Sequence, residues 1–224
     1  MLETRNIYKN SLRVIEKIPG LNLLQVAHFE NLNVLMLSKV GTRSIRNALL
    51  AYHDLGPNPA AAWAEVSHVT HHRFATRYNA QTTKVILREP LDRLQSCWRQ
   101  KISEKRDPGG FYFFQYYPLL RPDMAFIDFL KAISKIPTGL YEKHFMPLSF
   151  VLKNGGELRY DFIPLWRLDH MLLEIIGPKT SVSRANVTGL IETDPEARAY
   201  YDVHLKDRFA LDETLFHRYG RVAF

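Results

Sequence analysis

The sequence predicts an α/β protein, a three-layer α/β/α arrangement around a central parallel sheet, with a helix-rich C-terminal half. Three observations carry this. Val34-Leu35-Met36-Leu37 and Val85-Ile86-Leu87 are short, continuous apolar runs, the pattern of strands buried on both faces. Each run passes through a short polar turn into a segment whose apolar residues recur at helical spacing. Beyond Pro122 helical patterns outnumber strand patterns.

The first unit is Asn33–His53. After the apolar run comes the turn Ser38-Lys39-Val40-Gly41-Thr42-Arg43-Ser44, and then Ile45, Ala48, Leu49 and Tyr52 mark one face of a helix. The second unit follows Val85-Ile86-Leu87. Arg88-Glu89-Pro90 ends the strand, Pro90 suits a first helical turn, and Leu91, Leu94, Cys97, Trp98 and Ile102 form a helix face. Met124–Leu130 reads as a helix after Pro122-Asp123, and Phe162-Ile163 as a third short strand. Asp169–Ile176 is a helix stopped by Gly177-Pro178. Asp194 caps another helix with Pro195 in its first position. Leu211–Tyr219 is the last helix, closed by Gly220. Trp98 and Trp166 are expected in the core.

No internal repeat or low-complexity tract divides the chain. The best candidate break, Glu104–Pro122 with its Asp107-Pro108-Gly109-Gly110, is too aromatic for a linker, so residues 1–224 are read as one domain. The 13 Phe, 11 Tyr and 3 Trp exclude long disorder. Cys97 is the only cysteine, which excludes a disulfide scaffold and a multi-cysteine zinc site. The net charge of +7 favours phosphorylated or polyanionic partners. Met1–Lys17 carries charges throughout and lacks the apolar core of a signal peptide, and Ile18–Phe29 is too short and too polar for a membrane span. The expectation is a cytoplasmic protein with no integral membrane segment.

The turn Lys39–Ser44 joins a buried strand to a helix N-terminus, where free backbone N–H groups and the positive end of the helix dipole converge. Gly41 allows close backbone approach, Thr42 and Ser44 add hydroxyls, and Lys39 and Arg43 add charge. A Walker A loop has its lysine last, after two glycines. Here the lysine comes first and Gly41 stands alone. The loop is P-loop-like without being an ATP-kinase signature. In the second unit Arg88 ends a strand and Ser96 lies eight residues on, two turns into the following helix.

Ser38–Ser44 resembles the 5′-phosphosulfate loop of sulfotransferases, and Val85–Ser96 resembles their 3′-phosphate motif, in that order. The likeness is strongest to the carbohydrate sulfotransferases, which include heparan 2-O-sulfotransferase-like and chondroitin/dermatan enzymes. His144-Phe145-Met146-Pro147 resembles that family's His-aromatic-x-Pro segment, with Leu148 where Gln is usual. Tyr160-Asp161-Phe162-Ile163 resembles its Tyr-Asp-Phe strand, with departures at Pro164 and Arg167. Tyr201-x-x-His204 and Asp212-x-x-Leu215-Phe216-x-x-Tyr219 resemble its C-terminal pattern, so the likeness runs from about Asn33 to Gly220.

The resemblance implies transfer of a sulfuryl group from 3′-phosphoadenosine 5′-phosphosulfate (PAPS) to a hydroxyl of a carbohydrate or glycoconjugate, leaving the 3′,5′-bisphosphate PAP. Lys39 would meet charge on the oxygen bridging sulfur to the 5′-phosphate. The backbone of Lys39, Val40, Gly41, Thr42, Arg43 and Ser44 would hold the 5′-phosphate, and Arg88 and Ser96 the 3′-phosphate. No metal is required where cationic side chains supply the charge, and no acidic metal motif is visible. A histidine titrating near neutral pH suits the base for the acceptor hydroxyl. His68, followed by Val69, matches the family's base, His71 is the runner-up and Glu65 a third option.

Phe111–Tyr117, beside Lys105, Arg106 and Arg121, is read as core packing or as an acceptor lid, and Ser181–Thr188 as a polar loop near the 3′-phosphate. His144 is read as structural. Two other classes stand beside the sulfotransferase. A divergent P-loop kinase or phosphotransferase would need magnesium. A non-catalytic basic module would bind nucleic acid or glycan with steep salt dependence, but the basic residues are scattered and no nucleic-acid motif appears.

Overall fold

The structure is a computed structural model that describes residues 24–56, 62, 65–69, 83–103, 113–153, 160–177 and 194–220. Phe111, Tyr112, His71 and the Ser181–Thr188 loop lie outside the described residues.

The fold is α/β, built on a five-stranded sheet. The strands are β1 (Leu24–Phe29), β2 (Leu32–Leu35), β3 (Val66–Val69), β4 (Thr83–Leu87) and β5 (Tyr160–Pro164), in spatial order β3-β1-β2-β4-β5. Strands β2, β4 and β5 run parallel, with Leu35 level with Val85 and Val85 level with Phe162. The sheet is mixed, however, and not wholly parallel as expected. Strand β1 runs antiparallel to both β2 and β3. The physical reason is local: only Glu30 and Asn31 separate Phe29 from its partner Leu32, and a two-residue connection can only return a strand antiparallel. His28 ties the three strands together, with Nδ1 2.8 Å from Asn33 Oδ1 and Nε2 2.8 Å from Ser67 Oγ.

Among the described residues seven α-helices accompany the sheet: α1 (Thr42–Tyr52), α2 (Pro90–Trp98), α3 (Phe126–Ile133), α4 (Leu148–Lys153), α5 (Leu168–Ile176), α6 (Pro195–His204) and α7 (Ala210–Leu215). Each parallel strand feeds a helix: β2 leads to α1, β4 to α2, and β5 through the 3₁₀ turn Leu165–Arg167 to α5. Because the three strands are parallel, all three crossovers leave the same edge of the sheet. Helix α1 packs on β1 and against α5, and α3 packs against α2 and α6.

The expected punctuation holds. Pro90 opens α2, and Gly177 at φ 78° stops α5. The Asp194 side chain accepts from the Glu196 N–H at 3.0 Å, with Pro195 first in α6. The last helix is broken: α7 ends at Leu215 and continues as a π-helical turn, Phe216–Gly220.

The buried side chains form one continuous cluster. At its C-terminal end Phe145 meets Phe113, Tyr116, Phe129 and Tyr141 edge-on, with ring centroids 5.1 to 6.2 Å apart. Phe113 and Tyr116 are therefore packing residues, not part of an open acceptor lid. Trp98 is half-buried, and its indole N–H donates to the Met124 carbonyl at 2.8 Å. Trp166 departs from expectation and is 56% exposed. Leu165 and Leu168 take the inward face of that turn and leave Trp166 outside.

Two buried acids on α7 join distant motifs. Asp212 accepts from the backbone N–H groups of Leu148 and Ser149 at 2.6 and 2.7 Å, capping α4 from across the fold. The Tyr201 hydroxyl donates to Glu213 at 2.7 Å. Asp212→Ala strands two N–H groups inside the core and is expected to cost about 2–4 kcal/mol. Urea denaturation reads this as a lower midpoint at unchanged slope. A midpoint equal to the parent's would show that Asp212 is not what holds α4.

Candidate functional site

The site is built where the β2 and β4 crossovers lie side by side. After Leu35 the chain stays buried through Met36 and Leu37, then turns at Ser38. Lys39 takes φ 70° and Gly41 φ 86°, so two left-handed residues flank the buried Val40. For Gly41 that conformation carries no steric cost, whereas for Lys39 it is strained by about 1 kcal/mol or more. A Cβ on residue 41 would also lie 2.2 Å from Leu168 Cδ2 and 3.2 Å from Leu165 Cδ1, so the β5–α5 crossover closes over the loop at that point.

Helix α1 then begins with Gly41 as its cap. The Gly41 carbonyl accepts from the Ile45 N–H at 3.1 Å, no side chain caps the helix, and its first turn holds no acid. The Thr42 hydroxyl does not stand free for a ligand, because it donates to the Leu37 carbonyl at 3.1 Å and pins the loop back to the strand end. Ser44 is buried and Arg43 exposed.

Two arginines from the second crossover grip the first. Arg88 Nη1 lies 3.5 Å from the Lys39 carbonyl, and Arg93 Nη1 lies 3.4 Å from the Ser38 carbonyl. Arg93 is completely buried, and its Nη2 donates to the Met146 carbonyl. One guanidinium thus joins the Ser38–Ser44 loop to the His144–Pro147 segment. Its Nε has no hydrogen-bond partner. Ser96 lies half-buried on α2, two turns in from Arg88.

The charged groups gather here. The Lys39 ammonium donates to the Gln100 side-chain carbonyl, on the π-helical turn Arg99–Ser103 that prolongs α2. Burial lowers the Lys39 pKa to about 8; Lys101 and Arg88 push the same way, and Glu142 opposes. Cys97 is buried and its thiol is pushed up to about 12 by desolvation, so it is neutral beside the lysine. Glu142 is buried, and His144 encloses it: the backbone N–H donates to Oε2 at 2.7 Å, and Nδ1 lies 2.7 and 3.0 Å from the two carboxylate oxygens. Burial pushes the His144 pKa down to about 4, with Glu142 opposing and Lys39 adding to the fall. Burial alone would raise Glu142, but the contact with His144 holds it below the usual carboxylate range. Near neutral pH the pair is a carboxylate and a neutral imidazole.

The three base candidates separate. His68 lies on β3, level with Gln25 of β1, and the Gln25 carbonyl in turn accepts from the Met36 N–H at 2.8 Å. His68 therefore stands at the loop end of the sheet, two strands or roughly 10 Å sideways from the β2 terminus. Glu65 is carried away from the loop. It precedes β3 and lies 3.9 Å from His53, beyond the far end of α1. His71 lies outside the described residues.

Sequence reasoning assigned nothing to Arg93, Gln100 or Glu142. Arg93 sits inside the Arg88–Ser96 stretch, where a second arginine on a mostly apolar helix face is the available signal. Gln100 follows Ser96 by four residues and Glu142 precedes His144 by two, and neither spacing by itself marks a role.

Compared with known proteins, the chain matches no family model, no curated protein and no solved structure. No helix among the described residues is long and apolar enough to cross a membrane.

A half-buried cation facing a neutral partner costs stability. Between about pH 8 and 10.5 the unfolded chain binds the Lys39 proton and the folded chain does not, so this group's penalty is full below pH 8 and fades as pH rises towards 10.5. Lys39→Met removes it. The variant is expected to be more stable at pH 7 by about 1–3 kcal/mol, with the gain shrinking by pH 10. Urea midpoints at the two pH values test this. A variant equally or less stable at pH 7 would contradict the burial penalty.

Proposed function

We propose that this protein is a PAPS-dependent sulfotransferase, with a P-loop-like three-layer α/β/α fold, acting on a hydroxyl of a carbohydrate or glycoconjugate. One observation carries the reading: the β2 and β4 crossovers open side by side on one sheet edge, with Arg88 reaching the backbone of Lys39. A carrier phosphorylated at both its 5′ and 3′ ends needs two adjacent anion sites of this kind. The chemistry of the residues fits such a carrier. Helix α1 offers first-turn N–H groups with no competing acid, and the half-buried Arg88 and Lys39 add positive charge.

PAPS, when bound, supplies a sulfuryl group on a good leaving group. The residues of this chain then have a short set of tasks. The N–H groups at the start of α1 bind the 5′-phosphate. Arg88, with Ser96 from the following helix, binds the 3′-phosphate and separates this donor from ATP. Lys39 stabilises the charge that develops on the bridging oxygen as the acceptor oxygen attacks in line. An ammonium titrating near pH 8 is charged at neutral pH and able to give up its proton late in the reaction. His68, at the loop end of the sheet, takes the acceptor proton.

The decisive measurement is a thermal shift series. PAP is expected to raise the melting temperature at micromolar concentration, and ATP without magnesium to raise it less. No preference for the 3′-phosphate would remove the assignment. With labelled PAPS and a panel of glycan acceptors, Lys39→Met is expected to lose at least about 10²-fold in kcat while staying folded. Near-parental turnover in that variant would take Lys39 out of the mechanism.

A further inference from the structure

Lys39 is fixed at its root by its backbone and at its tip by a single neutral acceptor. Its backbone is held left-handed, with Arg93 on the carbonyl before it and Arg88 on its own. Its side chain ends on Gln100. We propose that Gln100 is a positioning residue for Lys39, its side-chain carbonyl fixing the aim of the ammonium between the two crossovers and tuning its hold on the proton.

Three features support this assignment. First, an ammonium only donates, so the amide oxygen of Gln100 must face it and the orientation of the amide is determined. Second, Gln100 is carried on a π-helical turn, Arg99–Ser103, spliced onto α2. A π-turn resets the angular position of the side chains that follow it and is often found at functional sites. Both ends of this one element therefore serve the same loop, Arg88 just ahead of its start and Gln100 just past its α-helical part. Third, the partner is neutral. A carboxylate here would bind the ammonium in a strong ion pair, whereas an amide holds it and yields it to a more negative oxygen.

The other groups facing Lys39 are Cys97 on α2, Lys101 on the π-turn, Glu142 and His144 on the segment after Tyr141, and Arg88 at the end of β4. None of them is the hydrogen-bond acceptor of the ammonium; Gln100 is. The consequence for catalysis rests on the sulfotransferase reading, but the hold on Lys39 does not, and the test separates the two.

The experiment measures the pH dependence of Lys39 acylation by competitive labelling and mass spectrometry on the whole chain, with no donor present. Gln100→Leu removes the acceptor and is expected to move the midpoint down by about half a unit to one unit. Gln100→Glu, nearly the same shape, is expected to move it up by about one to three units. Circular dichroism checks that each variant is folded, and the glutamate variant keeps the test alive if the leucine variant is not. Midpoints unchanged in both folded variants overturn the proposal. With PAPS and an acceptor, Gln100→Leu should lower kcat about 10-fold or more at little change in the donor KM, and the alkaline limb of the pH profile should follow the labelling midpoint. An alkaline limb that stays put while the midpoint moves overturns the catalytic half. If the midpoints move and no variant, nor the parent, turns over PAPS, the positioning role stands and the sulfotransferase reading falls.

Discussion

A single buried guanidinium organises the site. Arg93 is wholly shielded from water, and it meets its charge with backbone carbonyls, from Ser38 on one side and Met146 on the other. Asp212 and Glu142 contribute longer-range attraction. Burying a cation costs several kcal/mol unless its donors are satisfied. Here the outlay holds two segments together that are more than a hundred residues apart in sequence. Asp212 extends the same connection by capping α4 immediately after Pro147.

That clamp explains how a lysine stays in a left-handed conformation. Strain of this kind persists only where the surroundings over-determine the backbone. Around Lys39 they do so from three directions: the arginines on two successive carbonyls, the Thr42 hydroxyl on Leu37, and Leu165 and Leu168 closing over Gly41. The loop is thus shaped by contacts within the chain itself. The same arrangement keeps Lys39 desolvated, and the site is costly to the fold in the way functional sites commonly are.

Much of this was legible from local pattern. The apolar runs before Lys39 and Arg88, Pro90 and Pro195 at helix starts, the Asp194 cap and the Gly177 stop each depend on near neighbours, and each appears in the fold. What escaped was set by partners far along the chain. Leu24–Phe29 mixes Gln25 and His28 among apolar residues, so its strand character emerges only once β2 and β3 flank it. Trp166 has the composition of a core residue, but it lies on a turn whose inward positions Leu165 and Leu168 already occupy. Glu65, the third base candidate after His68 and His71, stands with His53 beyond the far end of α1.

The sequence by itself determined the strand–turn–helix units, the residue types at each turn, and a close backbone approach at Gly41, because backbone sterics and hydrophobic periodicity act over a few residues. Tertiary structure alone decided which turns meet. The parallel pairing of β2 with β4 brings Arg88 to Lys39, the guanidinium of Arg93 brings the Glu142–His144 pair to the same loop, and the π-turn after α2 delivers Gln100. These contacts span fifty to sixty residues, and no local rule encodes them. They follow from strand pairing and from the need to satisfy a buried charge.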